Sequence, residues 1–151
     1  MRSGRDFHHR LGRIASLQAL RVMASQGELA EAQAATGKAQ ARLVEQEREI
    51  ATKEGEVASL LAADALDFAG WRIALAVLGD LSTIGEIVTA ETRDCERQEA
   101  ERREQWRQEY AREEQATALL RKISRRMAEK RDDAAMLEVT SLHPRSDRSE
   151  A

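Results

Sequence analysis

The chain is predicted to be all-α and to form one long antiparallel two-helix coiled-coil hairpin. Its 151 residues include a single proline, Pro144, so no helix breaker interrupts the first 143 residues. Charged residues make up 34% of the chain and aromatic residues 3%, and good helix formers dominate. Much of the 42% apolar fraction is alanine, which lines a two-helix seam more readily than it fills a thick globular core.

Apolar residues that recur every seven positions predict the first helix. Five of the six residues at this spacing are large and apolar, and Ala32, Ala39 and Leu60 take the second seam position of the heptad. An apolar stripe carries the helix upstream, so we expect it to cover about residues 5–62. The heptad residues are Val22, Leu29, Thr36, Leu43, Ile50 and Val57, and the upstream stripe is Phe7, Leu11, Ile14 and Leu17.

A break at residues 63–67 predicts the turn of the hairpin. Asp64 and Asp67 are both plausible helix N-caps, and Gly70 adds flexibility. We expect the second helix to cover about residues 67–139, so that residues 1–139 form a single hairpin and 140–151 a disordered tail. The second apolar stripe consists of Val77, Leu81, Ile84, Val88, Cys95, Trp106, Tyr110, Leu120, Ile123, Met127 and Leu137.

Folding the chain near residue 65 pairs apolar segments at both ends of the hairpin. Residue 43 comes near 87, and residue 11 near 119. Fifteen of the 24 residues between Glu91 and Glu114 are charged, with the signs interleaved. Opposite charges three or four residues apart support a solvated helix. The pairs expected here are Asp94 with Arg97, Glu99 with Arg103, and Glu109 with Arg112.

The sequence offers no pattern typical of catalysis, a metal site or a cofactor. The three histidines, His8, His9 and His143, have no further ligand at useful spacing and are interpreted as solvated surface. Cys95 lies on the apolar stripe, where a buried seam residue is expected rather than a nucleophile. The carboxylates between Glu91 and Glu114 form a charged helix face and no acid–base pair. We therefore expect a protein that is not an enzyme.

The charge pattern and the lack of targeting segments favour a cytoplasmic protein. The formal net charge of −3 gives no case for nucleic acid, and a single cysteine is compatible with a reducing compartment. No secretory signal is recognised, and no run of about 18 apolar residues is expected to span a membrane. At most, the protein is expected at the periphery of the inner membrane.

Two segments stand out as candidate partner surfaces. Residues 1–21 carry five arginines against one aspartate, and residues 115–131 carry six lysines and arginines against Glu129. The predicted hairpin brings these two blocks to one end, which would suit an acidic protein, an anionic membrane or phosphate. An ordinary solvated helix end is the alternative.

The segment from Trp71 to Val88 is apolar on more than one face, so part of it stays exposed or meets another chain. Burial within a thicker bundle is the alternative.

The order of these features resembles the flagellar type III export stalk family (FliJ/YscO type). A long first helix is followed by a short break, by Trp71 and by an apolar stripe. A charged stretch with Trp and Tyr (EQWRQEY) is then followed by a basic segment near the end of the second helix (LLRKISRRMAEKRDD) and by a short tail. The resemblance covers nearly the whole chain.

The resemblance implies a non-enzymatic stalk that couples the hexameric export ATPase ring to the cytoplasmic domain of the export gate, with export chaperones as further partners. Carried over by spacing after Trp71, the gate contact would include apolar residues at all four stripe positions, where family members can be partly polar. The implied gate contact is Trp71, Val77, Leu81, Ile84 and Val88, and the implied ring contact is Arg10, Arg13, Arg121, Arg125 and Arg126.

Two other functions remain open from the sequence. A generic structural coiled coil that self-associates as a scaffold would have the same composition. A peripheral membrane or nucleic-acid binder could use the arginine-rich end, although the absence of aromatic residues among those arginines disfavours nucleic acid.

Overall fold

The protein consists of two long α-helices that pack against each other as a hairpin, as the sequence predicts. In the computed structural model, which describes residues 2–142, α1 covers Arg2–Ala62 and α2 covers Phe68–Leu142. The first helix therefore begins three residues before the expected start, and the second continues three residues past the expected end at 139. The rest of the predicted tail, with His143 and Pro144, lies outside the described residues.

Asp67 is the residue that caps α2. Its side-chain Oδ1 accepts a hydrogen bond of 3.0 Å from the backbone N–H of Gly70, and its carbonyl accepts one of 2.9 Å from the N–H of Trp71. A Cβ atom built on Gly70 would collide with the carboxylate of Asp67. The carboxylate is the end of a flexible side chain and could shift to accommodate a Cβ, so the cap depends on Asp67 and not on glycine at position 70. Asp64, the other candidate cap, lies in the connection between the two helices.

The helical pair divides into two compact units. We call Ala24–Arg107 the turn unit, because it contains the connection, and the combination of Met1–Met23 with Gln108–Ala151 the basic unit. The turn unit has 10 lysines and arginines against 17 acidic residues, whereas the basic unit has 14 against 10. The sequence had indicated one hairpin body, and the division also separates the charge.

In the turn unit, residues at heptad positions a and d form the seam between the helices. Thr36, Gln46, Ala74, Val88 and Thr92 are its most buried members. The other seam residues are half-buried, apart from the exposed Arg102, and follow an unbroken spacing of three and four. They are Ser25, Leu29, Ala32, Ala39, Leu43, Ile50, Lys53, Val57 and Leu60 on α1, and Trp71, Leu78, Leu81, Gly85, Cys95, Glu99 and Trp106 on α2.

Polar side chains in this seam fix how the helices are aligned. Gln46 donates from Nε2 to the carbonyl oxygen of Leu81 at 3.0 Å, and Thr92 donates from Oγ1 to that of Ala39 at 3.3 Å. Each such bond contributes about 1 kcal/mol, and a shifted alignment would leave its buried polar groups unpaired. The pairing agrees with a chain that folds back near residue 65. A Cβ on Gly85 would lie 3.0 Å from Cδ1 of Ile50, so the absence of a side chain there permits the close approach.

The basic unit uses the same spacing, and only some of the expected residues lie in its seam. Leu11, Gln18 and Val22 are buried, and Gln18 donates from Nε2 to the carbonyl oxygen of Glu109 at 3.1 Å. Leu11 is therefore confirmed as a seam residue, but the rest of the upstream stripe was misjudged by one residue. The heptad of Val22 continues back to Ala15 and His8 and leaves Phe7, Ile14 and Leu17 exposed. The larger side chains of these three residues dominated the apolar signal.

The second predicted stripe is likewise only partly in the seam. Leu81, Val88, Cys95, Trp106, Leu120, Ile123 and Met127 are buried or half-buried. Four others are exposed. Three of them lie beside the seam, because the heptad passes through small and polar residues such as Ala74 and Thr92 instead, whereas Leu137 keeps the heptad spacing but lies beyond the part of α2 that pairs with α1. The exposed four are Val77, Ile84, Tyr110 and Leu137.

The three expected ion pairs within α2 are all present. Asp94 pairs with Arg97, Glu99 with Arg103 at 2.6 Å, and Glu109 with Arg112 at 3.2 Å. The arginine of each pair is exposed, whereas Glu99 and Glu109 are half-buried beside the seam. Pairs of this kind, three or four residues apart on one helix, contribute at most about 0.5 kcal/mol each. They stabilise α2 in a region where the seam residues have polar or small side chains, but they do not determine the fold.

Candidate functional site

The five residues of the predicted gate contact divide between two faces of α2. Val88 is 5% exposed and belongs to the seam, and Trp71 and Leu81 are half-buried there. The indole Nε1 of Trp71 is buried without a hydrogen-bond partner. Only Val77 and Ile84, at 38% and 46% exposure, are exposed. In this hairpin, the five residues therefore do not form one continuous surface.

An exposed apolar flank does exist on α2 in the turn unit. Ile73, Val77, Ile84 and Ile87 follow a spacing of three and four beside the seam, with Asp80 in the middle of the row. We call these four residues the isoleucine flank. Ile73 and Ile87 were not predicted as members, although both lie in the segment from Trp71 to Val88 that is apolar on more than one face. Extending the heptad from Ala74, Leu78 and Leu81 would have placed them together.

The surroundings of the isoleucine flank are acidic. Glu91 lies in the next turn of the same row and pairs with Arg42 of α1 at 3.4 Å. On α1, the residues that precede position a near the flank are Glu49 and Glu56, both exposed. A partner that covers the isoleucine flank would therefore be expected to combine apolar residues with positive charge.

The same segment is what makes α2 a candidate membrane span by length and composition. An 18-residue window of this helix has a mean hydropathy of 1.6 with at most two charged residues, and 11% of it is buried in the hairpin. No such segment was expected from the sequence, in which no run of about 18 apolar residues was found; Asp80 and Glu86 lie within this apolar segment. Since α1 occupies one face, the finding indicates an unusually apolar exposed helix surface and is weak evidence for a membrane span.

The five residues of the predicted ring contact all belong to the basic unit, and all are exposed. Arg121, Arg125 and Arg126 surround a shallow depression on α2 together with Lys122 and Glu129. Arg10 and Arg13 lie on α1. A hydrogen bond of 2.8 Å between Nε2 of His8 and Oγ of Ser124 joins the two helices near these arginines. The five arginines therefore give the basic unit an exposed positive surface.

Titratable groups do not gather into a reactive site in the part of the chain that the structure describes. Between residues 2 and 142, no group of three or more His, Cys, Asp or Glu side chains could hold a metal ion. Cys95 is a half-buried thiol in the seam, as expected. His8 takes part in the contact between the helices, and His9 is exposed. The candidate site is therefore the pair of surfaces just described, the isoleucine flank and the arginines of the basic unit.

Comparison with known proteins adds no name to these surfaces. No family model, no characterised protein and no solved structure matches the chain.

Proposed function

We propose that the chain is a non-enzymatic stalk of a flagellar or related type III protein export apparatus. It would couple the export ATPase ring to the export gate, with export chaperones as further partners, in the cytoplasm close to the inner membrane. The observation that carries the proposal is the fold. The two helices pack against each other along one narrow seam, and their remaining faces are exposed and can bind partners. The order of sequence features along both helices supports it.

The arginines of the basic unit are the proposed contact with the ATPase ring. Arg10, Arg13, Arg121, Arg125 and Arg126 are exposed, and guanidinium groups form bidentate hydrogen bonds with carboxylates. Contacts of this kind steer association and fix orientation. A ring whose central opening is acidic would therefore select this unit over the acidic turn unit.

The isoleucine flank is the proposed contact with the export gate. Val77 and Ile84 are retained from the resemblance, and Ile73 and Ile87 join them because they are exposed in the same row. Trp71 and Leu81 contribute from the edge, where they are half-buried. Val88 would stabilise the hairpin behind this surface and would reach a partner only if the helices separated.

The test is binding to a purified hexameric export ATPase. The full chain is expected to co-sediment with the hexamer at micromolar concentration and to raise its rate of ATP hydrolysis. Neither effect is expected from an unrelated helical hairpin of equal length and net charge. If the protein failed both to bind and to stimulate the ATPase, the proposal would be wrong.

A self-associating scaffold is the second candidate, and the exposed isoleucine flank favours it. A second copy could cover these residues, although Asp80 would then be buried in an apolar interface at a cost. The two candidate functions predict different masses for the protein in solution. The scaffold predicts a concentration-dependent mass well above 16.9 kDa in sedimentation, whereas the stalk predicts the mass of a single chain.

A further inference from the structure

The basic unit exposes large apolar side chains on the flank of α1 that faces away from its seam. Ile14 and Leu17 are 55% and 59% exposed, and Phe7 and Leu20 are exposed to a similar degree. The seam of this unit passes through Leu11, Gln18 and Val22 instead, so nothing in its described residues, 2–23 and 108–142, covers these four residues. They occupy about a third of the circumference of the helix, which is the arrangement of an amphipathic helix with one free apolar face.

Arginines are interleaved with these apolar residues. Arg10, Arg13 and Arg21 lie in the same sector of α1, and each is exposed. The only acidic residue of α1 before Glu28 is Asp6. An apolar surface that alternates with arginine differs from the isoleucine flank, whose charged neighbours are mainly acidic.

The second helix continues this surface. In an antiparallel pair, the residues that precede position a on the two helices lie on the same side, as the contact between Arg42 and Glu91 illustrates in the turn unit. In the basic unit these positions hold Phe7 and Ile14 on α1, and Leu119 and Arg126 on α2. Leu119 is 46% exposed, and Arg126 is exposed. Lys122 lies beside them, and Glu129 is the acidic residue at the edge.

A lipid surface suits this combination better than a folded protein. The apolar side chains stand on a convex helix surface, so a bilayer interface can accept them without a matching groove. The long arginine side chains can lie along that surface while their guanidinium groups remain among the headgroups. Their positive charge selects anionic lipids, whereas the turn unit, with 17 acidic residues against 10 basic ones, would be repelled.

We propose that this flank of the basic unit, formed by Phe7, Ile14, Leu17, Leu20 and Leu119 with the interleaved arginines, docks onto the surface of anionic lipid bilayers. The helices lie in the plane of the headgroups, and no segment crosses the membrane. The inference stands apart from the proposed stalk function, since it requires neither the ATPase nor the gate.

Co-sedimentation of the full chain with vesicles tests the proposal. One set of vesicles contains phosphatidylcholine with about a third phosphatidylglycerol, and the other contains phosphatidylcholine alone. We expect binding to the first set only, with a loss above about 0.3 M salt because exposed charges are then screened. Equal binding to both sets, or binding to neither, would overturn the proposal.

Matched variants locate the contact. The double variant Ile14→Ser with Leu17→Ser is expected to bind anionic vesicles roughly tenfold less, because apolar contact with the interface is lost. The control is Met23→Ser with Ile87→Ser, which removes two comparably exposed side chains outside the flank and should bind as the original chain does. Circular dichroism should show both variants to be as helical as the original.

Charge variants separate lipid binding from other uses of the flank. Arg10→Gln with Arg13→Gln should weaken vesicle binding, whereas Arg72→Gln with Arg93→Gln, the same charge change in the turn unit, should not. If the Ile14 and Leu17 variant instead bound vesicles normally but no longer formed a dimer in sedimentation, the flank would be a contact between copies and the lipid proposal would be wrong.

Discussion

Replacing Val88 by aspartate is expected to abolish cooperative unfolding of the hairpin. Val88 is 5% exposed and lies in the seam close to Thr92, whose hydroxyl donates to its carbonyl oxygen at 2.8 Å. A carboxylate there would be buried without a counter-charge, which costs about 3–5 kcal/mol. Small domains have only about 5–15 kcal/mol of stability in total, and a hairpin with so few buried side chains lies toward the low end.

Ile84→Asp is the matched control for Val88→Asp. It introduces the same side chain one turn earlier on α2, at a position that is 46% exposed. Its effect on the free energy of unfolding should be within about 0.5 kcal/mol. Urea unfolding followed by helical circular dichroism measures both variants. Equal destabilisation by the two would mean that the seam does not pass through Val88.

Reversing three arginines of the basic unit should nearly eliminate binding to the export ATPase, if the proposed function is correct. The variant Arg121→Glu, Arg125→Glu and Arg126→Glu replaces positive charges by negative ones on an exposed helix face. Each reversal removes an attraction and adds a repulsion opposite an acidic partner. Together we expect the dissociation constant to rise roughly 100-fold or more, which corresponds to about 2.7 kcal/mol.

The control for the arginine reversal carries the same change of net charge in the turn unit. Arg72→Glu, Arg93→Glu and Arg107→Glu lie on the same helix and are exposed. Because they are outside the proposed contact, binding measured by titration calorimetry should change less than about threefold. Equal weakening by both variants would mean that net charge, and not the basic unit, governs association.

The hairpin could be predicted from sequence because its determinants are local and repetitive. Three independent features restrict the possible folds to a helical hairpin: the avoidance of proline, the break that ends at Asp67, and the heptad from Val22 to Val57. The ion pair between Glu99 and Arg103 followed from spacing alone, whereas the sequence left both Asp64 and Asp67 as candidates for the cap that Asp67 forms.

The phase of the seam could not be predicted everywhere, because large apolar residues lie beside it as well as in it. In α2, Val77 and Ile84 are more apolar than Ala74 and Gly85, which are the residues that pack against α1. The choice depends on how closely the two backbones approach, as at Gly85 and Ile50, and this is a property of the pair of helices. For the same reason, the exposed isoleucine flank contains only two of the five residues predicted for the gate contact, Val77 and Ile84.

The division of the hairpin into an acidic turn unit and a basic unit was only partly visible in the sequence. The clusters of arginine and lysine at residues 1–21 and 115–131 were apparent. However, the apolar residues among those arginines were assigned to the seam. Their exposure emerged only once Ala15, Gln18 and Val22 were seen to take the buried positions.

A cross-linking experiment tests most directly the claim on which the whole account depends, that α1 and α2 of one chain pack in this antiparallel register. Gln40 and Glu96 lie on one side of the seam, where Nε2 and Oε1 are 3.2 Å apart, whereas Gln98 lies on the other side of α2. In a Cys95→Ala background, Gln40→Cys with Glu96→Cys should be joined within one chain by a short bismaleimide. Gln40→Cys with Gln98→Cys should react far less. Cross-links only between chains, or equal yields from the two pairs, would contradict the account.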